Sequence, residues 1–325
     1  MHQYIRLFRE TGVPVDRALA RSTLPGSVEE TPDAYLSLPL ALPWMAQTGS
    51  DMTAMELGFQ ASRHVTLGSL DRKVQTSVAT SVSGLAAIRR AFRLAALEDT
   101  AVRADVWQDG ENLRLCTTMP RLARHPHACL VEWMNVMAMT AIVRDFLGPA
   151  WAPEEITFVS QAKPPVSALE AFDGTRILCG QPQTSIIVQA GALAPARGSP
   201  RGGPADLGAL PADGPEDLWT FQSALRAAIR PYLGEGQFSL AHAAEIAGTS
   251  QRTLQRRLTL CGTSFAETVQ QARFECAREW LRDASLRVSD VALMAGYENP
   301  QHFSRAFRKY SGLTPSDYRQ IVRPG

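Results

Sequence analysis

At 325 residues the chain exceeds the length of one typical domain, and its 45% hydrophobic content is that of a globular protein, so two domains are expected. No apolar run approaches the ~18 residues of a membrane span and no signal peptide opens the chain, so a cytoplasmic location is expected. The net charge of +1 excludes nucleic-acid binding by bulk basicity.

Taken in order, residues 1–63 read as several short helices. Tyr4, Ile5 and Phe8 fall on one side of the first, and a later apolar segment is expected to break at Pro43 and Gly49. Ser83 to Leu97 forms an amphipathic helix that packs Leu85, Ile88 and Phe92, with Arg89, Arg90 and Arg93 as a solvated face. A hairpin follows, with Val102, Ala104 and Val106 alternating in one strand, Leu113 and Leu115 in the other, and Asp109-Gly110 at the turn. Pro126 opens a long apolar helix that Gly148 and Pro149 end. Ile156–Ser160, Arg176–Gly180 and Ser185–Gln189 read as strands. The result is an α+β domain over residues 1–190. Trp44, Phe59, Trp107, Trp133 and Met134 suit either its core or a ligand pocket, and the sequence does not decide between them.

Residues 191–215 are rich in Gly, Pro and Ala and lack the aromatic and β-branched residues of a core, which marks a linker. Beyond it the charge balance changes. Residues 1–214 carry 19 Lys/Arg against 21 Asp/Glu, and residues 215–325 carry 14 against 11.

The region 216–325 contains one grammar twice. Near 238–258, a short Ala-rich helix reaches Gly248, and Ser250 caps a second helix with Leu254 and Leu258 inward. Near 288–310, an apolar helix ends at Gly296; Asn299 caps the next helix, Pro300 fits its first position, and Phe303, Ala306 and Phe307 face inward. Helix, Gly turn and polar-faced helix make a helix-turn-helix unit whose second helix suits a major groove. Between the units, Ser264 and Glu267 form a capping box for a helix expected to reach Asp283, roughly 20 residues or about 30 Å. That length is close to the ~34 Å groove repeat.

Arg252, Gln255 and Arg256 in the first unit, and Gln301, His302 and Arg305 in the second, face outward as candidate base contacts. Arg suits guanine and Gln suits adenine. Thr253, Arg257, Ser304, Arg308 and Lys309 are candidate phosphate contacts. A solvated helix face is the competing reading for any single arginine.

Residues from about Leu218 to Arg319 resemble the DNA-binding domain of the AraC/XylS family of bacterial transcription regulators. The resemblance rests on Arg273-Phe274, Ala277-Arg278, Leu281, Val291-Ala292, Gly296-Tyr297, the run His302 to Arg308, and the run Gly312 to Arg319. Phe274 departs from the smaller aliphatic usual there. Residues 1–190 are similar to the arabinose-binding-type N-terminal domain of one branch of that family. This second resemblance is carried by Leu57-Gly58, Leu67-Gly68, the Leu85–Leu97 helix, the strands around Asp109-Gly110, Phe146-Leu147-Gly148, and Gly180-Gln181-Pro182 with Ser185–Val188. The stretch Arg72–Ser81 is more polar than that likeness implies.

The expected fold is therefore an α+β N-terminal sensor domain followed by an all-α DNA-binding domain with two helix-turn-helix units joined by a long helix. The resemblance implies a sequence-specific regulator, an activator, that binds double-stranded promoter DNA and a small-molecule effector. It further implies RNA polymerase as a partner and a homodimer, with no cofactor. The alternatives are an architectural DNA-binding protein without an effector, or a DNA-modifying enzyme on the same DNA-binding domain. The enzyme would need an activated cysteine beside a histidine. The five cysteines are scattered and odd in number, with no zinc or disulfide pattern, and His125 and His127 lack an acidic or thiol partner nearby in sequence. No catalytic or metal-binding residue is assigned.

Overall fold

The structure, a computed structural model, describes residues 1–30, 35–95, 102–122, 125–193, 220–235 and 238–322. The chain divides into two compact units, Met1–Val15 with Leu42–Trp219, and Asp16–Ala41 with Thr220–Gly325. The grouping of Asp16–Ala41 with the C-terminal residues is a feature that the sequence reading of 1–190 does not contain. Nothing in the composition of this segment marks it as part of the C-terminal unit. Most of the expected linker lies outside the described residues; Ala190–Leu193 closes a short 3-10 turn, with Leu193 buried.

The leading helices are α1 (His2–Glu10), α2 (Val15–Ala20), α3 (Leu38–Thr48), α4 (Ala54–Ser62), α5 (Arg72–Ala79) and α6 (Gly84–Arg93). Tyr4, Ile5 and Phe8 are buried on α1 as their spacing predicts, and the Tyr4 hydroxyl donates to the Leu130 carbonyl at 2.8 Å. Side-chain oxygens of Thr53, Asp71 and Ser83 accept from first-turn amides and start α4, α5 and α6. α3 runs through Pro43, where a break was expected. The ring nitrogen cannot donate to the Pro39 carbonyl, so one helical bond is missing. Leu42, Trp44 and Met45 are nevertheless buried, and their packing outweighs that loss.

The sheet is built from β1 (Arg103–Asp109), β2 (Asn112–Thr118), β3 (Glu155–Thr157), β4 (Arg176–Leu178) and β5 (Thr184–Gln189), in the order β1-β2-β5-β3-β4. β1 and β2 form the expected hairpin, with Asp109 opposite Asn112 and Gly110 at φ +63°, a conformation that favours glycine. β5 pairs antiparallel with both β2 and β3, and only β3 and β4 run parallel. α7 (Ala128–Leu147) lies between β2 and β3 in sequence, and α8 (Val166–Ala171) makes the crossover from β3 to β4.

Trp133 of α7 is fully buried, with ring centroids 4.9 Å from Phe59 and 4.6 Å from Phe158. Phe59 and Trp133 are therefore core. Trp44 is buried edge-on against Phe8, and Met134 is half-buried against the same core. Trp107 is 47% exposed on the edge strand β1, so it is neither core nor pocket lining. α7 also carries a buried carboxylate, Glu132. Its oxygens accept from the Val159 amide at 2.7 Å, the Thr184 hydroxyl at 2.6 Å and the Ser160 amide at 3.3 Å. Those bonds tie the helix to the end of β3 and the start of β5.

The second unit is helical. It contains α9 (Phe221–Ile229), α10 (Leu240–Ile246), α11 (Gln251–Leu260), α12 (Phe265–Trp280), α13 (Val288–Met294), α14 (Pro300–Ser311) and α15 (Pro315–Val322). α12 starts at the predicted capping box of Ser264 and Glu267. It has 16 residues and ends before Asp283; at 1.5 Å per residue it is about 24 Å long, shorter than the sequence suggested. Asp283 instead accepts from the Ser285 amide and hydroxyl in the following turn.

α12 joins two cores. Val269, Ala272 and Cys276 pack with Leu254 and Leu258 of α11, while Ala277 and Leu281, just beyond them, pack with Phe303 and Phe307 of α14. Phe274, the residue that departs from the family pattern, stacks on Tyr310 at 5.4 Å and leans on Phe307 at 5.1 Å. From the N-terminal segment, Leu40 packs on the first of these cores and the Ser37 hydroxyl donates to the Ile246 carbonyl at 2.6 Å.

Candidate nucleic-acid interface

Two turns set the outward helices, and they are hydrogen-bonded alike. In the first, the Gly248 amide donates to the Glu245 carbonyl and the Thr249 amide to the Ala244 carbonyl, both at 2.9 Å. In the second, Gly296 donates to Leu293 at 2.8 Å and Tyr297 to Ala292 at 2.9 Å. Gly248 has φ +58° and Gly296 has φ +77°, so both turns rest on the left-handed backbone that glycine adopts without strain. The caps follow. The Ser250 hydroxyl accepts from the Thr253 amide at 3.2 Å and the Asn299 side chain accepts from the Gln301 amide at 2.7 Å.

With Leu254 and Leu258 turned inward, Arg252, Gln255 and Arg256 are exposed on α11. With Phe303 and Phe307 inward, Gln301, His302 and Arg305 are exposed on α14, and Arg308 and Lys309 extend from its last turns. Ala306 is half-buried beside them. Three other candidates are partly engaged within the fold. The Thr253 hydroxyl lies 3.0 Å from that of Ser250 in the cap, Ser304 is half-buried, and the Arg257 guanidinium sits 5.6 Å from the centre of the Phe221 ring.

A clamp behind the second turn escaped the sequence reading. The Arg273 guanidinium lies over the Tyr297 ring at 5.0 Å, and the Tyr297 hydroxyl donates to Gln270 Oε1 at 2.6 Å. Burial pushes the Tyr297 phenol up despite the opposing effect of the Arg273 charge, so it stays a donor at neutral pH. Gln270 and Arg273 lie one turn apart on α12, but Tyr297 is more than twenty residues further on, so no local spacing signal pairs it with them.

The three buried thiols have the opposite character to a reactive nucleophile. Burial pushes Cys116 up to about 12, and it pushes Cys129 and Cys276 up to about 11. His125 and His127 lie edge to face at 5.6 Å, and among the described residues no group of three or more His, Cys, Asp or Glu is placed to hold a metal. No helix among the described residues is long and apolar enough to cross a membrane.

Two family models match the chain. One, described as the arabinose-binding domain of AraC transcription regulator, N-term, covers residues 12–195, more than half of the sequence. The other, a helix-turn-helix domain, covers residues 243–321. The chain belongs to the AraC family of transcription regulators. It therefore has an N-terminal effector-binding-type domain carrying a sheet and a helical DNA-binding domain. Among its relatives, the ornithine utilization regulator of Pseudomonas aeruginosa is 37% identical over 81 residues, 25% of this chain and 24% of that one. The transcriptional activator NphR of a Rhodococcus species is 37% identical over 92 residues, 28% of each chain. The HTH-type transcriptional activator RhaR of Yersinia pseudotuberculosis is 34% identical over 105 residues, 32% of this chain and 35% of that one. These matches cover only a minority of each relative's length.

Proposed function

We propose that this AraC-family protein is a sequence-specific transcription activator, working in the cytoplasm, whose affinity for promoter DNA is set by a small molecule held in residues 1–190. In this reading residues 191–215 are the linker, and residues 216–325 form the DNA-binding domain with two helix-turn-helix units joined by α12. One observation carries the reading: two alike glycine turns, each followed by a capped helix that keeps its apolar side chains inside and its Arg, Gln and His side chains out.

Arg252, Gln255 and Arg256 read bases from α11, and Gln301, His302 and Arg305 read them from α14. Thr253, Arg257, Ser304, Arg308 and Lys309 hold phosphates and fix register. The two helices share α12 as a rigid spine, so their separation is constant and selects DNA with two half-sites at fixed spacing. The activator names of the NphR and RhaR relatives support activation, with RNA polymerase as the partner at the promoter. A homodimer would add affinity through effective concentration.

The experiment is to sequence the DNA that co-purifies with the protein from cells and then to footprint the recovered site with the purified chain. A protected site with two base-specific segments supports the proposal. Uniform protection of unrelated DNA overturns it in favour of architectural binding.

A further inference from the structure

We propose that the effector site of this protein is a narrow cleft between α5, α6, β1, β2 and α7, and that it takes a small, uncharged, largely apolar molecule with one hydrogen-bonding group. The inference rests on the reading of residues 1–190 as the effector domain and names the site and the ligand chemistry within it.

The cleft has a volume of about 60 Å³ and is partly open to solvent. Of its twelve lining residues among those described, ten are apolar and none is ionisable. Val74, Phe92, Met139 and Ile142 are four of its apolar residues. The other two are Thr117 and Asn135.

Thr117 is the observation that points to a ligand. On β2 it follows Leu113 and Leu115 at intervals of two, so it sits on the strand face that those leucines turn to the core. It is 5% exposed, and its hydroxyl oxygen has no hydrogen-bond partner among the described residues. A buried hydroxyl left unpaired is costly, and proteins rarely keep one without a use. Asn135 stands across the cleft on α7, where among the described residues its amide meets the Met119 sulfur at 3.8 Å. Its carbonyl oxygen is an acceptor and the Thr117 hydroxyl can donate or accept, so one polar group on a ligand suffices to satisfy the site.

The same lining rejects other classes. A pentose brings a hydroxyl on almost every carbon, and most would lose water without gaining a partner here. A carboxylate or ammonium would enter a cleft with no counter-charge among its described lining residues. The occupant selected is thus not a sugar, an amino acid or an organic acid, but a neutral alcohol, amide or ketone on an aromatic or aliphatic body.

The test uses the full-length chain with benzyl alcohol, cyclohexanol and benzamide as neutral probes, and L-arabinose, L-ornithine and benzoate as counter-probes. Binding is followed by calorimetry and ligand-observed NMR, alongside affinity for the recovered DNA site. Saturable binding of a neutral probe at one per chain is expected. Thr117→Val should weaken it about three- to tenfold, the loss of one hydrogen bond, and Ala138→Phe should block it by filling the cleft. Tighter binding of arabinose or of either charged probe, no saturation by any neutral probe, or unchanged binding in Thr117→Val overturns the proposal. Probe binding that Ala138→Phe abolishes, with DNA affinity indifferent to the probe, supports the cleft and overturns effector control. DNA affinity that still responds to an effector in a folded Ala138→Phe protein overturns the cleft and leaves effector control standing.

Discussion

A β-carbon placed on Gly296 would lie 2.1 Å from the carbonyl oxygen of Leu233, well inside any permitted contact. The turn between α13 and α14 thus excludes other residues twice over, by its φ of +77° and by the backbone pressed against it. Even alanine must push Leu233 away. We expect Gly296→Ala to destabilise the second unit by about 2–4 kcal/mol, since the clash adds to the roughly 1 kcal/mol or more of left-handed strain. Gly296→Val should abolish DNA binding while the first unit keeps its fold. Wild-type footprints from the valine variant, or loss of the near-ultraviolet signal of the buried Trp133, would contradict this.

Arg256→Ala and Arg305→Ala should each weaken binding to the recovered site by about 1–3 kcal/mol and relax discrimination at one base position. Both side chains are exposed on capped helices whose inner faces are locked by Leu254 and Leu258 or by Phe303 and Phe307. Arg257→Ala should differ. Its guanidinium already lies against Phe221, so its loss should weaken specific and random DNA alike. Binding selections on randomised sites separate the two outcomes. Equal losses on specific and random DNA for Arg256→Ala and Arg305→Ala would reduce both to phosphate contacts.

What the sequence disclosed was local. The caps at Ser250, Ser264 and Asn299, the inward Leu254, Phe303 and Phe307, and the Asp109-Gly110 hairpin are all written in spacings of a few residues, and each stands as read. What it hid was non-local. The Arg273–Tyr297 stack, the Glu132 hydrogen bonds and the position of Thr117 beside a cleft all join residues that no periodicity links. Trp107 was misleading because an aromatic in an alternating strand suggests burial. It lies on an edge strand, where its indole donates to Asp105 at 2.9 Å instead of packing.

Glu132 offers a test of the first unit's architecture. Its carboxylate is wholly buried and accepts hydrogen bonds from three residues at the ends of two strands. Glu132→Ala strands those donors away from water, at a cost of about 3 kcal/mol or more. Glu132→Gln, which replaces one acceptor by a donor, should cost less than the alanine. Denaturant unfolding monitored by Trp133 fluorescence reads both. A loss below about 1 kcal/mol for the alanine variant would show that the strand ends hold without it.

The sheet carries an acid-sensitive group in Glu155. Burial pushes its carboxyl up, but hydrogen bonds and charges from Arg114, at 2.8 Å, and from Arg176 outweigh burial and hold it below the usual range. A carboxyl lowered on folding contributes stability that is complete above its unfolded pKa, about 4.3. That contribution is lost as pH falls through the lower folded value. The wild-type protein should therefore lose more stability than Glu155→Gln between neutral pH and pH ~3. Parallel pH profiles for the two proteins would remove Glu155 from the account.

The two units should be separable, though not by a cut in the linker alone. A fragment starting at Asp217 keeps α9 to α15, both glycine turns and α12, so it should recognise the same DNA site. It loses the segment Asp16–Ala41, which supplies Leu40 to the core around Leu254 and the Ser37 hydrogen bond to Ile246. It also loses the Gly26 amide that donates to Glu235 at 2.6 Å. The fragment should accordingly be less stable than the same helices in the full chain, and Ser37→Ala in the full chain should cost about 1 kcal/mol of that difference. The fragment should bind DNA more weakly if the full chain is a dimer, since two linked modules gain effective concentration. It should also bind without regard to effector, because a ligand shifts an equilibrium only through a site that distinguishes its two states. Fragment and full chain are compared on one promoter, with and without the neutral probes, by footprinting and thermal unfolding. An effector response retained by the fragment would move the sensor into the C-terminal helices, and an unchanged melting temperature in both Ser37→Ala and Leu40→Ser would make the N-terminal segment dispensable.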